Sequence, residues 1–229
     1  MARSALVIGG SRGIGLALAR MLGEEGFALT IASRRPESAE SAAADLGALA
    51  VVADVGREDD CDSLVAAHVE HHGGLDVLVN SAGIGIGGNL EQLRTKDIDL
   101  QLNVNLRGLV LVTRAAIPHL KTSKGLIVSL ASIAGTIPTP ALSIYGAVKA
   151  AVISLTRSIN AELEGDGVRA TALCPGFVDT DMAAWSGIPG QEMIRPEDCA
   201  EIVRMLLRLS PNARIPSVIV ERMGSGGVY

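Results

Sequence analysis

Aromatic side chains are scarce in this chain: one Trp, two Tyr and two Phe among 229 residues. A core of stacked rings is excluded, and with hydrophobic residues at 48% the interior must be filled by Ala, Val, Leu and Ile. Cysteine is also rare. Cys61, Cys174 and Cys199 are odd in number, far apart and without a Cys-x-x-Cys pair, which argues against a disulfide framework and predicts reduced packing thiols. Charge of one sign is nowhere concentrated. The 20 basic and 25 acidic residues give a net −5 and form no basic stripe for nucleic-acid phosphates, so nucleic acid is not expected as a partner. No stretch reaches the roughly 18 apolar residues of a membrane span. The apolar run after Met1 breaks into glycines too early for a signal peptide, and a soluble, cytoplasmic protein is expected. Repeats, low-complexity tracts and Pro/Gly/Ser linkers are missing too, so residues 1–229 are expected to form a single domain.

What is present is an alternation of short apolar runs with longer segments of helical period, the pattern of a parallel sheet covered by helices on both faces. Strands are predicted over Ala5–Gly9, Ala28–Ala32, Ala48–Ala53, Leu75–Asn80, Gly125–Leu130, Arg169–Cys174 and Ser217–Glu221. Helices are predicted over Gly13–Glu25, Pro36–Leu46, Arg57–His72, Leu93–Leu120, Ile144–Leu163 and Pro196–Ser210. Pro36 and Pro196 stand where a helix start tolerates a missing amide hydrogen, and Pro118 where a helix is expected to end. The fold class is a Rossmann-like, doubly wound α/β sheet of about seven strands. The irregular residues 177–195 form a candidate substrate loop.

Ile8-Gly9-Gly10-Ser11-Arg12-Gly13-Ile14-Gly15 follows the first predicted strand and opens the first helix. Glycines there let the backbone turn tightly against a pyrophosphate and aim the free amides of the helix start at its charge. Gly9, Ser11, Arg12, Gly13, Ile14 and Gly15 are therefore candidate dinucleotide contacts. At the end of the second strand an NAD enzyme places a carboxylate against the ribose 2′-hydroxyl, whereas this chain has Ser33-Arg34-Arg35. Arg34 with Arg12 would make a cationic fork for a 2′-phosphate beside Ser33, which favours NADP(H).

Tyr145 and Lys149 lie four residues apart at the start of an apolar helix, and Ser132 ends a strand 13 residues before Tyr145. A phenol with a pKa of about 10 is a poor proton donor and a rare base near neutrality. An adjacent ammonium is expected to favour the phenolate and lower that pKa. Ser132 would steady the substrate oxygen.

The Gly-x-x-x-Gly-x-Gly spacing, with Asn105, Ser132, Tyr145 and Lys149 in this order, resembles the classical short-chain dehydrogenase/reductase family across nearly the whole chain. The resemblance implies hydride transfer between NADP(H) and a carbonyl or secondary alcohol, with Tyr145 moving the proton and Lys149 also holding the nicotinamide ribose. It implies that Asn105, chosen over Asn103, anchors a water serving Lys149. It further implies cofactor contacts at Asp54 and Val55, at Asn80, Ala82 and Gly83, and in Cys174-Pro-Gly-Phe-Val-Asp-Thr-Asp-Met at Pro175, Gly176, Val178 and Thr180. A homodimer or homotetramer built on the helices of Asn105 and Tyr145 is implied as well. This chain departs from the family at Ile8, where Thr is usual, and at Ser81, where a second Asn is frequent. Its loop over 181–195 is shorter, and its ending Glu221-Arg-Met-Gly-Ser-Gly-Gly-Val-Tyr is unusual. Two alternatives share the fold: a non-catalytic NADP(H)-binding redox-sensing regulator, and an epimerase or dehydratase. Ketone, acyl thioester, sugar and steroid all stay open as substrates.

Other residues receive plainer readings. His68 and His72 are expected on a solvated helix face, His119 as a favourable charge at a helix end, and Cys174 as a packing residue. No metal site is expected. Trp185 is left between substrate contact and subunit contact.

Overall fold

The computed structural model describes residues 2–225. Among these residues seven strands form one parallel sheet in the order β3-β2-β1-β4-β5-β6-β7. They are β1 (Ser4–Ile8), β2 (Ala28–Ser33), β3 (Leu49–Val52), β4 (Val77–Asn80), β5 (Leu126–Leu130), β6 (Arg169–Pro175) and β7 (Ser217–Val220). The order reverses between β1 and β4, which opens a crevice at the carboxyl ends of the strands, where doubly wound sheets take their ligands.

The alternation of side chains along β1 shows how the sheet is filled. Ala5 and Val7 join one core layer with α1 (Gly13–Glu24) and α7 (Pro196–Arg208). Leu6 and Ile8 join the opposite layer with α3 (Glu58–His72) and α5 (Gly108–Ser123). Strands buried on both faces are largely apolar, and all five residues of β5 are buried, Ser129 being its one polar member. The aliphatic composition supplies that core, and Phe27 is the single aromatic ring in it among the described residues. The remaining helices are α2 (Pro36–Leu46), α4 (Thr95–Leu102) and α6 (Ser143–Glu162).

Two helix expectations change. The segment predicted as one helix over Leu93–Leu120 begins at Thr95. A π-turn over Asn103–Arg107 joins α4 to α5, and the helix runs through Pro118 to Ser123. Pro118 removes one bond, to the carbonyl of Arg114, but both residues lie on the exposed side, where solvent can serve the freed oxygen. The helix stops instead at Lys124, in the left-handed conformation at φ 53°.

The solvated face expected for His68 is the second correction. Cys61, Leu64, Val65 and His68 form the buried stripe of α3, and His68 is fully covered. Its Nδ1 lies 2.8 Å from Thr30 Oγ1 and its Nε2 3.2 Å from Ser4 Oγ; Thr30 Oγ1 also meets His72 Nε2 at 3.1 Å. Ser4 donates to Gly74 O at 2.7 Å, so it must accept from His68 Nε2, and Thr30 must donate to Nδ1. The imidazole is thereby held neutral, and burial with His72 nearby lowers its pKa to about 4.

Candidate active site

The glycine turn joins β1 to α1. Gly9 has φ +74°, and a methyl group there would sit 2.7 Å from Ala82 N, so the residue brings the turn against the end of β4. Among the described residues no side chain caps α1 at Arg12, which leaves the amides of Gly13, Ile14 and Gly15 for a ligand. Ser11 donates to Ser33 at 3.3 Å, tying the turn to the end of β2. Thr180 comes down on the same turn: a methyl at Gly13 would meet its Cγ2 at 3.1 Å.

The cationic fork is not assembled. Arg12 pairs with Asp181 across 3.3 Å, both largely exposed, while Arg34 is exposed and makes no ion pair among the described residues. Asp54 is turned to its own loop, accepting from Gly56 N at 2.9 Å. Asn80 is buried and donates to Thr113 at 3.0 Å, so its side chain braces α5 and only its backbone edge lines the crevice. Val55 lies against Gly108, where a methyl would come within 2.6 Å of its carbonyl oxygen.

Residues 177–195 form a closed loop with a tied neck. Val178 bridges Ile194, Ile194 N donates to Phe177 O at 3.0 Å and Asp179 N to Ile194 O at 2.8 Å. Pro175 ends β6, and Gly176 N bonds Val220 O of β7. Trp185 is 67% exposed and meets Phe177 edge to face at 6.0 Å.

Asn105, Ser132, Tyr145 and Lys149 converge at the mouth of the crevice. A methyl at Gly83 would lie 3.2 Å from Asn105 Oδ1 and 3.8 Å from Lys149 Nζ. One at Gly85 would lie 3.8 Å from the Tyr145 ring. The π-turn buries Asn105, which grips Ile84 at both ends: Oδ1 accepts from Ile84 N at 2.7 Å and Nδ2 donates to Ile84 O at 2.8 Å. Asn103 instead donates to Gly56 O at 3.2 Å, so Asn105 alone of the two faces the mouth.

The electrostatics correct one expectation. Burial raises the Tyr145 phenol above its ordinary value, and a hydrogen bond with Ser132 only partly opposes this. Lys149 Nζ stands 5.6 Å from the ring centroid and donates to Leu130 O at 2.6 Å, and burial lowers its pKa to about 8. Desolvation, not the ammonium, sets the direction for the phenol, and both groups are driven toward neutrality. Burial also pushes the Cys174 thiol up to about 11, leaving it protonated and a poor nucleophile.

The described residues contain no cluster of three metal-ligating side chains, and no helix among them is long and apolar enough to cross a membrane. Gln101 escaped the sequence reading, although its place four residues before Asn105 was a usable signal. Fully buried on α4, it accepts from Ile86 N at 3.2 Å through Oε1.

The sequence pattern of the short chain dehydrogenases matches residues 3–187. The chain belongs to that family. This short-chain dehydrogenase is 32% identical over 219 residues to an uncharacterized oxidoreductase of Staphylococcus epidermidis, covering 94% of this chain and 95% of that one. An uncharacterized oxidoreductase of Staphylococcus aureus matches at 32% over 220 residues, with the same coverage. Among solved structures, a 3-ketoacyl-(acyl-carrier-protein) reductase from Brucella melitensis complexed with NADH superposes with a TM-score of 0.88. It is 31% identical, with 96% of each chain covered. An alcohol dehydrogenase from Thermococcus sibiricus complexed with 5-hydroxy-NADP gives 0.86 at 30% identity, with 95% of each covered. The protein is an oxidoreductase of this family with a Rossmann-like seven-stranded parallel sheet.

Proposed function

We propose that the protein reduces a carbonyl group to an alcohol with NADPH. The observation that carries this reading is the convergence of Ser132, Tyr145, buried Lys149 and Asn105 at the crevice mouth, beside an uncapped glycine turn that fits a pyrophosphate. Bound there, the nicotinamide supplies the hydride.

Ser132 donates a hydrogen bond to the substrate oxygen and opposes the charge that develops on it. Tyr145 gives that oxygen the phenolic proton, and the proton-bearing state of the phenol is the one that burial secures. Lys149, with a pKa near the working range, restores the proton to Tyr145 and draws its own replacement through water held near Asn105. The cofactor grip would come from the amides of Gly13, Ile14 and Gly15 on the pyrophosphate, and from Val55 near the adenine, since Asp54 is turned to its own loop. Ala82 and Gly83 would support the ribose, and Pro175, Gly176, Val178 and Thr180 would hold the nicotinamide.

Preference for NADPH rests on Ser33-Arg34-Arg35 at the end of β2 and on the absence of a carboxylate there. Arg34 is free to meet a 2′-phosphate, and Arg12 reaches it once released from Asp181. We assign the loop 177–195 to substrate, and a homodimer or homotetramer to the helices of Asn105 and Tyr145. Leu102 and Val110 there expose apolar surface. Free buried thiols suit a reducing cytoplasmic setting. Comparing kcat/KM for NADPH and NADH over activated ketones tests the cofactor assignment. NADPH is expected to win by about tenfold or more, about 1.4 kcal/mol, and Arg34→Ala to erase most of that advantage. A higher efficiency with NADH in the native protein refutes it.

A further inference from the structure

The segment Ile84–Ile86 runs between α4 and Tyr145. Asn105 holds Ile84 by two hydrogen bonds, and Gln101 holds Ile86 by one. Four helical residues advance about 6 Å and two extended residues about 6.6 Å. Side chains at i and i+4 of the helix therefore fall in register with alternate amides of the segment. Gly85, between the two clamped residues, lies against the Tyr145 ring. Beyond it Gly88 N donates to Ala141 O at 2.7 Å, two residues before α6 begins.

The Gln101 amide can face only one way. Exchanging its ends would set Nε2–H against the Ile86 N–H, two donors in contact. In the orientation it takes, Nε2 is buried and has no acceptor among the described residues. A fully covered amide group carries a substantial desolvation cost unless something accepts from it. The bond from Ile86 N accounts for Oε1, so it is the buried Nε2 that points to a bound acceptor beside the segment.

We propose that Gln101 is a positioning residue, which together with Asn105 pins Ile84–Ile86 against Tyr145 while its Nε2 holds an ordered water. This rests on the reading of Tyr145 as the proton donor, and it adds a residue that sets the donor's surroundings without touching substrate. The clamp keeps the segment closed over the phenol. Without it, water reaches the ring edge and the phenol relaxes toward its ordinary acidity.

The test exploits the scarcity of tyrosine. In a Tyr229→Phe background Tyr145 is the sole tyrosine, and its ionisation is read directly from tyrosinate absorbance in the near ultraviolet. Gln101→Met, close in length and lacking both polar ends, is expected to move that midpoint down by about half a unit or more. Thr171→Val, a buried polar change remote in β6, is expected to leave it in place. Equal midpoints in Gln101→Met and its parent overturn the proposal, as does an equal shift in Thr171→Val. If Gln101→Met does not fold, a crystal structure of the native chain decides: a water on Nε2 and the Ile86 bond are expected, and the absence of either overturns it. NADPH binding to the same parent, followed by fluorescence, tests the underlying reading separately. No binding there refutes the cofactor assignment, whatever the tyrosine titration shows.

Discussion

Replacing Lys149 by Met should make the protein more stable while removing its turnover. Lys149 is buried, and its pKa falls from 10.5 to about 8 on folding. A difference of about 2.5 units corresponds to about 3 kcal/mol against the folded state wherever the unfolded chain keeps its proton. Methionine fills a similar stem volume without that charge. It also abandons the bond to Leu130 O, worth about 1 kcal/mol, so the net gain near neutral pH is about 2 kcal/mol. For a chain of this size that raises Tm by about 4–8 °C. The pH dependence carries the sharper check. The folded pKa lies below the unfolded one, so the penalty is fully present below about pH 8 and fades as pH rises through 10.5, above which both states are neutral. Urea unfolding of the native protein and Lys149→Met across this window should show the gap closing as the pH climbs. A variant less stable than the parent at neutral pH, or a gap indifferent to pH, would refute the desolvation argument.

Acid should act through the other buried base. His68 has a folded pKa of about 4 against 6.5 in the unfolded chain. The unfolded state therefore takes up the proton first, and stability falls by up to about 3 kcal/mol between pH 6.5 and 4. Urea midpoints should follow that curve, and His68→Gln should flatten it; an equal slope in the variant would exclude His68 as the cause. Gly9→Ala forces a methyl against Ala82 N at a positive φ, for an expected cost of about 2–3 kcal/mol and a loss of NADPH binding by fluorescence titration. Native-like affinity in Gly9→Ala would show that the turn does not cradle the cofactor.

Strong periodicity made most of the fold legible. The strands read from Ala5, Ala28, Ala48, Leu75, Gly125, Arg169 and Ser217 all exist, with ends moved by a residue or two, because parallel strands covered by helices are short and mostly apolar. The helix through Asn105 was harder. A π-turn inserts a residue without any signature in composition, and Pro118 misled because local propensity yields to packing on the remaining faces of α5. The burial of His68 is legible in its own stripe, since Cys61, Leu64 and Val65 stand at helical spacing before it. At the site, order and type of residue located Asn105, Ser132, Tyr145 and Lys149, which the fold then brings together. Their proton affinities were not legible, because burial is a property of the assembled structure, and here it reverses the sign expected for Tyr145.

The most direct measurement is NADPH oxidation by the native protein and by Tyr145→Phe over a panel of ketones, acyl thioesters, sugars and steroids, with NADPH binding followed in parallel. Loss of the phenolic proton should lower kcat by about 10²–10⁴ on every carbonyl the native protein reduces, with binding unchanged. Turnover by Tyr145→Phe within about tenfold of the native rate would contradict the assignment of Tyr145, and a native protein that binds NADPH but reduces nothing in the panel would contradict the proposed reductase activity.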